Sequence, residues 1–135
     1  MRETALGLGL AAMAAMAAGA ALAGPLDSYR DRARVLVLSA PDSGDAQLRA
    51  QRAALASVRA GVAERDLVVL EAVGSGAEAR ALRERLGLPA DSFRAVLIGK
   101  DGGTKITEAA PLAPQRLFAT IDAMPMRRTE MRERR

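Results

Sequence analysis

Asp42, Ser43 and Asp45 crowd one turn, Pro41-Asp42-Ser43-Gly44-Asp45, between an apolar run and an amphipathic one. Carboxylates and a hydroxyl at a helix start can hold Ca²⁺ or Mg²⁺, seat an anion on Ser43 and free N–H groups, or cap the helix. The two aspartates would repel an anion. Two carboxylates without further oxygen ligands make a weak cation site. Capping accounts for all three residues, so the turn is a candidate contact surface and no metal is expected there. Asp42, Asp45 and Glu71 also carry an alternative reading, an enzyme or redox-accessory protein of the cell envelope that uses carboxylates at strand ends.

A second charged group lies at the C-terminus. Arg127, Arg128 and Arg132 stand in the run MRRTEMRERR, where they could meet an envelope protein or an anionic surface. Glu130 and Glu133 interrupt the run, so residues 125–135 are expected to form a solvated basic tail, frayed or a loosely packed extra turn. Lys100 and Lys105 are the lysines of a chain with 20 basic residues and flank an Asp-Gly turn, where exposed charge would discourage edge-to-edge strand pairing.

Composition excludes more than it suggests. The chain has no Cys and no His. Thiolate nucleophiles, Ser-His-Asp triads, His-liganded zinc or copper and iron–sulfur clusters are closed to it. No cofactor is expected. Tyr29, Phe93 and Phe118 are too few aromatics for a base-stacking platform, so no nucleic acid is expected either. The net charge of +4 is concentrated in the C-terminal run.

The elements that must position these groups begin after a targeting signal. Arg2 precedes an Ala/Leu/Gly/Met-rich run, and Ala21-Leu22-Ala23 supplies a cleavage pattern, so residues 1–23 read as a signal peptide and the mature protein as periplasmic or secreted. A retained anchor is the alternative, but Ala and Gly dominate the run and no stable membrane insertion is expected. Residues 24–33 form a polar lead-in that lays Tyr29 on the domain edge, and residues 34–124 form one domain.

Val35-Leu36-Val37-Leu38 predicts a strand buried on both faces. A helix follows from the Asp42–Asp45 turn to about Gly61–Glu64, with Leu48, Leu55, Val58 and Val62 inward and Arg49, Arg52 and Arg59 outward. Asp66–Leu70 reads as a second buried strand. A helix over Ala77–Leu86 directs Ala79, Leu82 and Leu86 inward and Arg80, Arg83, Glu84 and Arg85 outward, and stops at Gly87. Phe93–Gly99 and Thr104–Glu108 form a hairpin across Asp101-Gly102. Pro114 starts a last helix carrying Leu117, Phe118 and Ile121, which Met124-Pro125 breaks.

The order β-α-β-α-β-β-α predicts an α/β, thioredoxin-like fold with a four-stranded mixed sheet and helices on both faces. Leu26-Asp27-Ser28-Tyr29-Arg30, Ser39-Ala40-Pro41, Glu64-Arg65-Asp66-Leu67, Gly99-Lys100-Asp101-Gly102-Gly103 and Ile121 to Arg128 resemble an uncharacterised domain-of-unknown-function family of small exported bacterial proteins. The resemblance implies a thioredoxin-like fold and kinship with domains of sushi-repeat-containing extracellular proteins. It implies no assigned chemistry. Redox thioredoxins carry Cys-x-x-Cys where this chain has Ala40 to Leu48, and a cis-proline where it has Asp91-Ser92-Phe93-Arg94. Dithiol exchange is therefore excluded. A non-enzymatic binding or scaffold module is the leading expectation.

Overall fold

Four consecutive aliphatic residues cannot leave one face to water, and β1 (Arg34–Ala40) lies accordingly in the sheet interior with every residue buried. The computed structural model describes residues 24–134. The signal-peptide expectation for residues 1–23 lies outside them.

β1 pairs in parallel with β2 (Leu67–Val73) and antiparallel with β3 (Arg94–Ile98), which pairs antiparallel with β4 (Thr104–Glu108). The sheet order is β2-β1-β3-β4, the mixed four-stranded arrangement expected of a thioredoxin-like fold. The period-2 alternation of β1 divides the core in two. Leu36, Leu38 and Ala40 face a layer that includes Leu48 and Leu55 of α1 (Ala46–Ala56) and Leu117 and Ile121 of α4 (Pro114–Asp122). Val35 and Val37 face the other layer, formed by Ala79 and Leu82 of α3 (Ala77–Leu86) with Leu26 of the lead-in. Tyr29 packs half-buried against that second layer, as expected.

β2 differs from expectation. It is an edge strand, half-buried rather than sealed on both faces, because parallel pairing to β1 leaves its other side open.

The helix predicted to run unbroken to Gly61–Glu64 divides into α1 and α2 (Arg59–Glu64). The Ser57 hydroxyl donates to the Ala54 carbonyl at 2.7 Å, and Val58 leaves helical geometry at φ −127° and ψ 32°. Local back-bonding of this kind competes with the helical ladder. The break brings Gly61 against α4, where a Cβ would stand 2.7 Å from Phe118 Cε2. α3 matches its expected bounds and stops at Gly87 in the left-handed region, φ 67°.

The segment expected to be a solvated tail is instead a helix, α5 (Pro125–Glu133), whose Arg127 is 1% exposed. Among the described residues no helix is long and apolar enough to cross a membrane.

Gln51 stands between Leu48 and Leu55 on the buried face of α1. Its amide nitrogen donates to the Leu112 carbonyl at 3.1 Å, and its oxygen accepts from the Leu112 N–H at 2.6 Å. That clamp satisfies both backbone groups of a buried residue between β4 and α4. Gln51→Leu preserves volume and strands both groups, so urea unfolding should show a loss of about 3 kcal/mol. A loss below about 1 kcal/mol would mean that water or another group takes the clamp's place.

Candidate functional site

The Pro41–Asp45 turn follows the carboxyl end of β1. There Asp42 accepts from the Gly44 N–H at 2.8 Å and Asp45 from the Leu48 N–H at 2.9 Å, the bond that caps α1. Ser43 is exposed. The carboxylates thus serve the backbone. Glu71, the third acid of the enzyme reading, is engaged with Arg52, whose Nε lies 2.7 Å from Oε2. Among the described residues no group of three or more acidic, His or Cys side chains stands ready to hold a metal ion.

Beside this turn the structure places a group that the sequence reading sent to solvent. Arg83 of α3 is 5% exposed. Its Nε donates to Ser39 Oγ at 3.0 Å, one terminal nitrogen donates to the carbonyls of Ala40 and Ala72 at 3.0 Å each, and the other donates to Gly74 at 2.7 Å. The planar fork closes the carboxyl ends of β1 and β2, where a strand pair ends in unspent carbonyls. Helical spacing contained the signal: positions 79, 82, 83 and 86 form one stripe, and Arg83 occupies the middle of it.

The opposite end of the sheet holds an ion network organised by α5. Arg34, fully buried, donates from both terminal nitrogens to Glu130 at 3.1 Å each and from one of them to the Arg65 carbonyl at 2.9 Å. Lys100 Nζ lies between Glu130 Oε2 at 2.8 Å and Asp66 Oδ2 at 2.9 Å. The lysine expected at an exposed turn is therefore 9% exposed and bridges two acids, because the turn folds back beneath α5. Lys105 does remain at the surface, 2.9 Å from Asp101 Oδ2.

Arg127 and Arg65 share Asp122. Arg65 meets it bidentately at 3.0 Å twice, Arg127 Nε meets it at 3.0 Å, and Arg127 also pairs with Glu64. The Arg65 guanidinium lies 4.0 Å above the Phe118 ring centroid, which adds a cation–π contact.

The six candidate residues are accordingly divided between the two ends of the domain. Arg128 and Arg132 stay exposed on the outer side of α5, Arg132 donating to Thr129 Oγ1 at 3.1 Å. Arg127 is withdrawn into the network and is not available as a surface contact. A cavity of about 160 Å³ opens next to this network, between the β3–β4 turn and the α4–α5 junction.

The carboxyls that anchor α5 are shifted by their surroundings. Burial pushes Glu130 up, but hydrogen bonds from Arg34 and Lys100, with their charges, prevail and hold it below the ordinary carboxylate value. Burial likewise opposes, and the Arg65 and Arg127 guanidinium groups outweigh it, at Asp122, which is also lowered.

Residues 25–130 match the family model described as "Domain of unknown function (DUF4174)". Among curated proteins, the chain is similar to the sushi repeat-containing protein SRPX of Rattus norvegicus, 31% identical over 120 residues, with 78% of this chain and 26% of that protein covered. The human SRPX is 32% identical over 120 residues with the same coverage. The human sushi repeat-containing protein SRPX2 is 27% identical over 127 residues, covering 84% and 27%. The chain thus spans about a quarter of the length of the curated relatives it matches. No solved structure matches the chain.

Because Glu130 and Asp122 titrate lower in the folded state than in the unfolded chain, their contribution to stability is fully present above about pH 4.3 and lost as pH falls through the folded values. Resistance to urea should therefore fall on acidification below about pH 4. Glu130→Gln should cost about 2 kcal/mol at pH 7 and flatten that acid dependence. An unchanged acid profile in the variant would show that Glu130 does not anchor α5.

Proposed function

The chain belongs to the family described as "Domain of unknown function (DUF4174)", and from that premise we propose that it is an exported, non-enzymatic module that binds an acidic envelope partner through the outer face of α5. The observation that carries this reading is how α5 is fixed. Its inner face is held by ion pairs from Arg127 and Glu130, so its outer face presents Arg128 and Arg132 at a set spacing and not as a mobile tail. Arginine suits this task because a planar fork pairs with carboxylates bidentately and sheds water more readily than an ammonium group. The Pro41–Asp45 turn, with Ser43 outward, is the second surface of the proposal.

Truncation before α5 would not test this reading, since it would leave Arg34 and Lys100 without Glu130. Charge reversal at exposed positions does test it. The purified protein should retain an acidic protein from an envelope extract in a salt-sensitive manner, and the double variant Arg128→Glu, Arg132→Glu should lose it while its unfolding free energy stays within about 0.5 kcal/mol of the parent. A matching reversal on α1, Arg49→Glu, should leave retention intact. Equal retention by the α5 variant would remove α5 as the contact face, and retention of nothing by the parent protein would remove the binding reading.

A further inference from the structure

The cavity at the α4–α5 junction differs chemically from the outer face of α5. Its wall joins Met124, Pro125 and Met126 to Gly99, Lys105 and Arg34. Two thioether side chains, a proline ring and a lysine stem give an apolar body to the space. Three features make one end of it electropositive.

The first is the start of α5. Met124 stands at its N-cap and has no side-chain oxygen to cap the helix, and Pro125 brings no N–H. The Arg128 N–H makes the first return bond, to the Met124 carbonyl, so the N–H groups of Met126 and Arg127 precede the helical ladder. The second is Arg34. It is fully buried with its terminal nitrogens committed to Glu130 and Arg65, while its Nε is a buried polar atom without a hydrogen-bond partner among the described residues. This unpaired N–H is sealed from solvent and adds positive potential behind the wall without itself being open to a ligand. The third is Lys105, whose ammonium group sits at the rim on Asp101.

We propose that this cavity binds a small monocarboxylic acid with a short apolar body. The carboxylate sits between Lys105 and the first turn of α5, and the apolar part lies against Met124 and Met126. Size, charge and wall chemistry select this class. A cavity near 150 Å³ lined by apolar side chains accepts a benzene-sized molecule, and 160 Å³ is close to that. A dianion such as phosphate would face Asp101 at the rim and Glu130 behind Arg34 with too few donors to offset them. An amine would meet Lys105, Arg34 and the positive end of α5. A neutral alcohol would leave the N–H groups poorly paired.

The test is a titration of the purified protein, labelled at methionine methyl groups, with hexanoate, hexanol, hexylamine and inorganic phosphate, with Met131 as internal reference. Hexanoate should shift the Met124 and Met126 signals saturably, and hexanol should bind at least about fivefold more weakly, as expected for loss of one charge-assisted contact. Hexylamine and phosphate should leave both signals in place. Lys105→Gln should weaken hexanoate about fivefold, whereas Asp101→Asn should tighten it, because Lys105 is then no longer shared. Both substituted residues are at the surface, so the variants should keep the parent's unfolding midpoint. Equal binding of hexanol, a response to phosphate, indifference to Lys105→Gln or no response to hexanoate up to saturation of its solubility would each overturn the proposal.

Discussion

A guanidinium sealed in a protein interior demands a carboxylate. Arg34 opens the central strand with no exposed surface, and taking its charge out of water costs several kcal/mol unless an opposite charge and hydrogen bonds compensate. Glu130 supplies two of those bonds, and through Lys100 it also ties down Asp66 at the start of β2. Much of the amino end of the sheet follows from that pairing. α5 must dock, the β3–β4 turn must fold under it, and Asp66 must hold its uncommon backbone, φ 48°, so that its carbonyl receives the Arg34 N–H at 2.8 Å.

The carboxyl end of the sheet solves the same problem differently. Arg83 has no carboxylate partner among the described residues, and its charge is met by three carbonyl dipoles and a hydroxyl. The two ends are therefore unequal in what they can exchange with a partner. One is a network of ion pairs between side chains; the other is a single guanidinium fixed on backbone carbonyls.

The apolar framework was legible because burial writes itself in period. Val35 to Leu38 announced a central strand, Ala79 and Leu82 one face of α3, Gly87 its stop, and Asp101-Gly102 the hairpin. The family resemblance was also legible and is borne out by the matched model and the sushi-repeat relatives. The polar interior was not. Arg127 and Glu130 turn inward from α5, but they stand in a run of mixed charge whose acids, Glu130 and Glu133, read as the mark of a solvated terminus. Lys100 was hidden similarly: an Asp-Gly turn signals a hairpin, and nothing in the local sequence reports that a helix begun 25 positions later will cover it. Only Arg83 left a trace, since it interrupts an otherwise apolar stripe.

The Arg34–Glu130 pair spans 96 positions, and that separation makes the closure of the sheet end a matter of the whole chain. A chain made from its amino end produces the central strand long before the acid that neutralises it. Until residue 130 has emerged, Arg34 must keep its water, and the amino end of the sheet cannot close. Long-range contacts of this kind form late and slowly because the intervening chain must first be ordered. Docking of α5 is thus the step that completes the molecule, and a chain halted short of it would retain a hydrated, partly open sheet end.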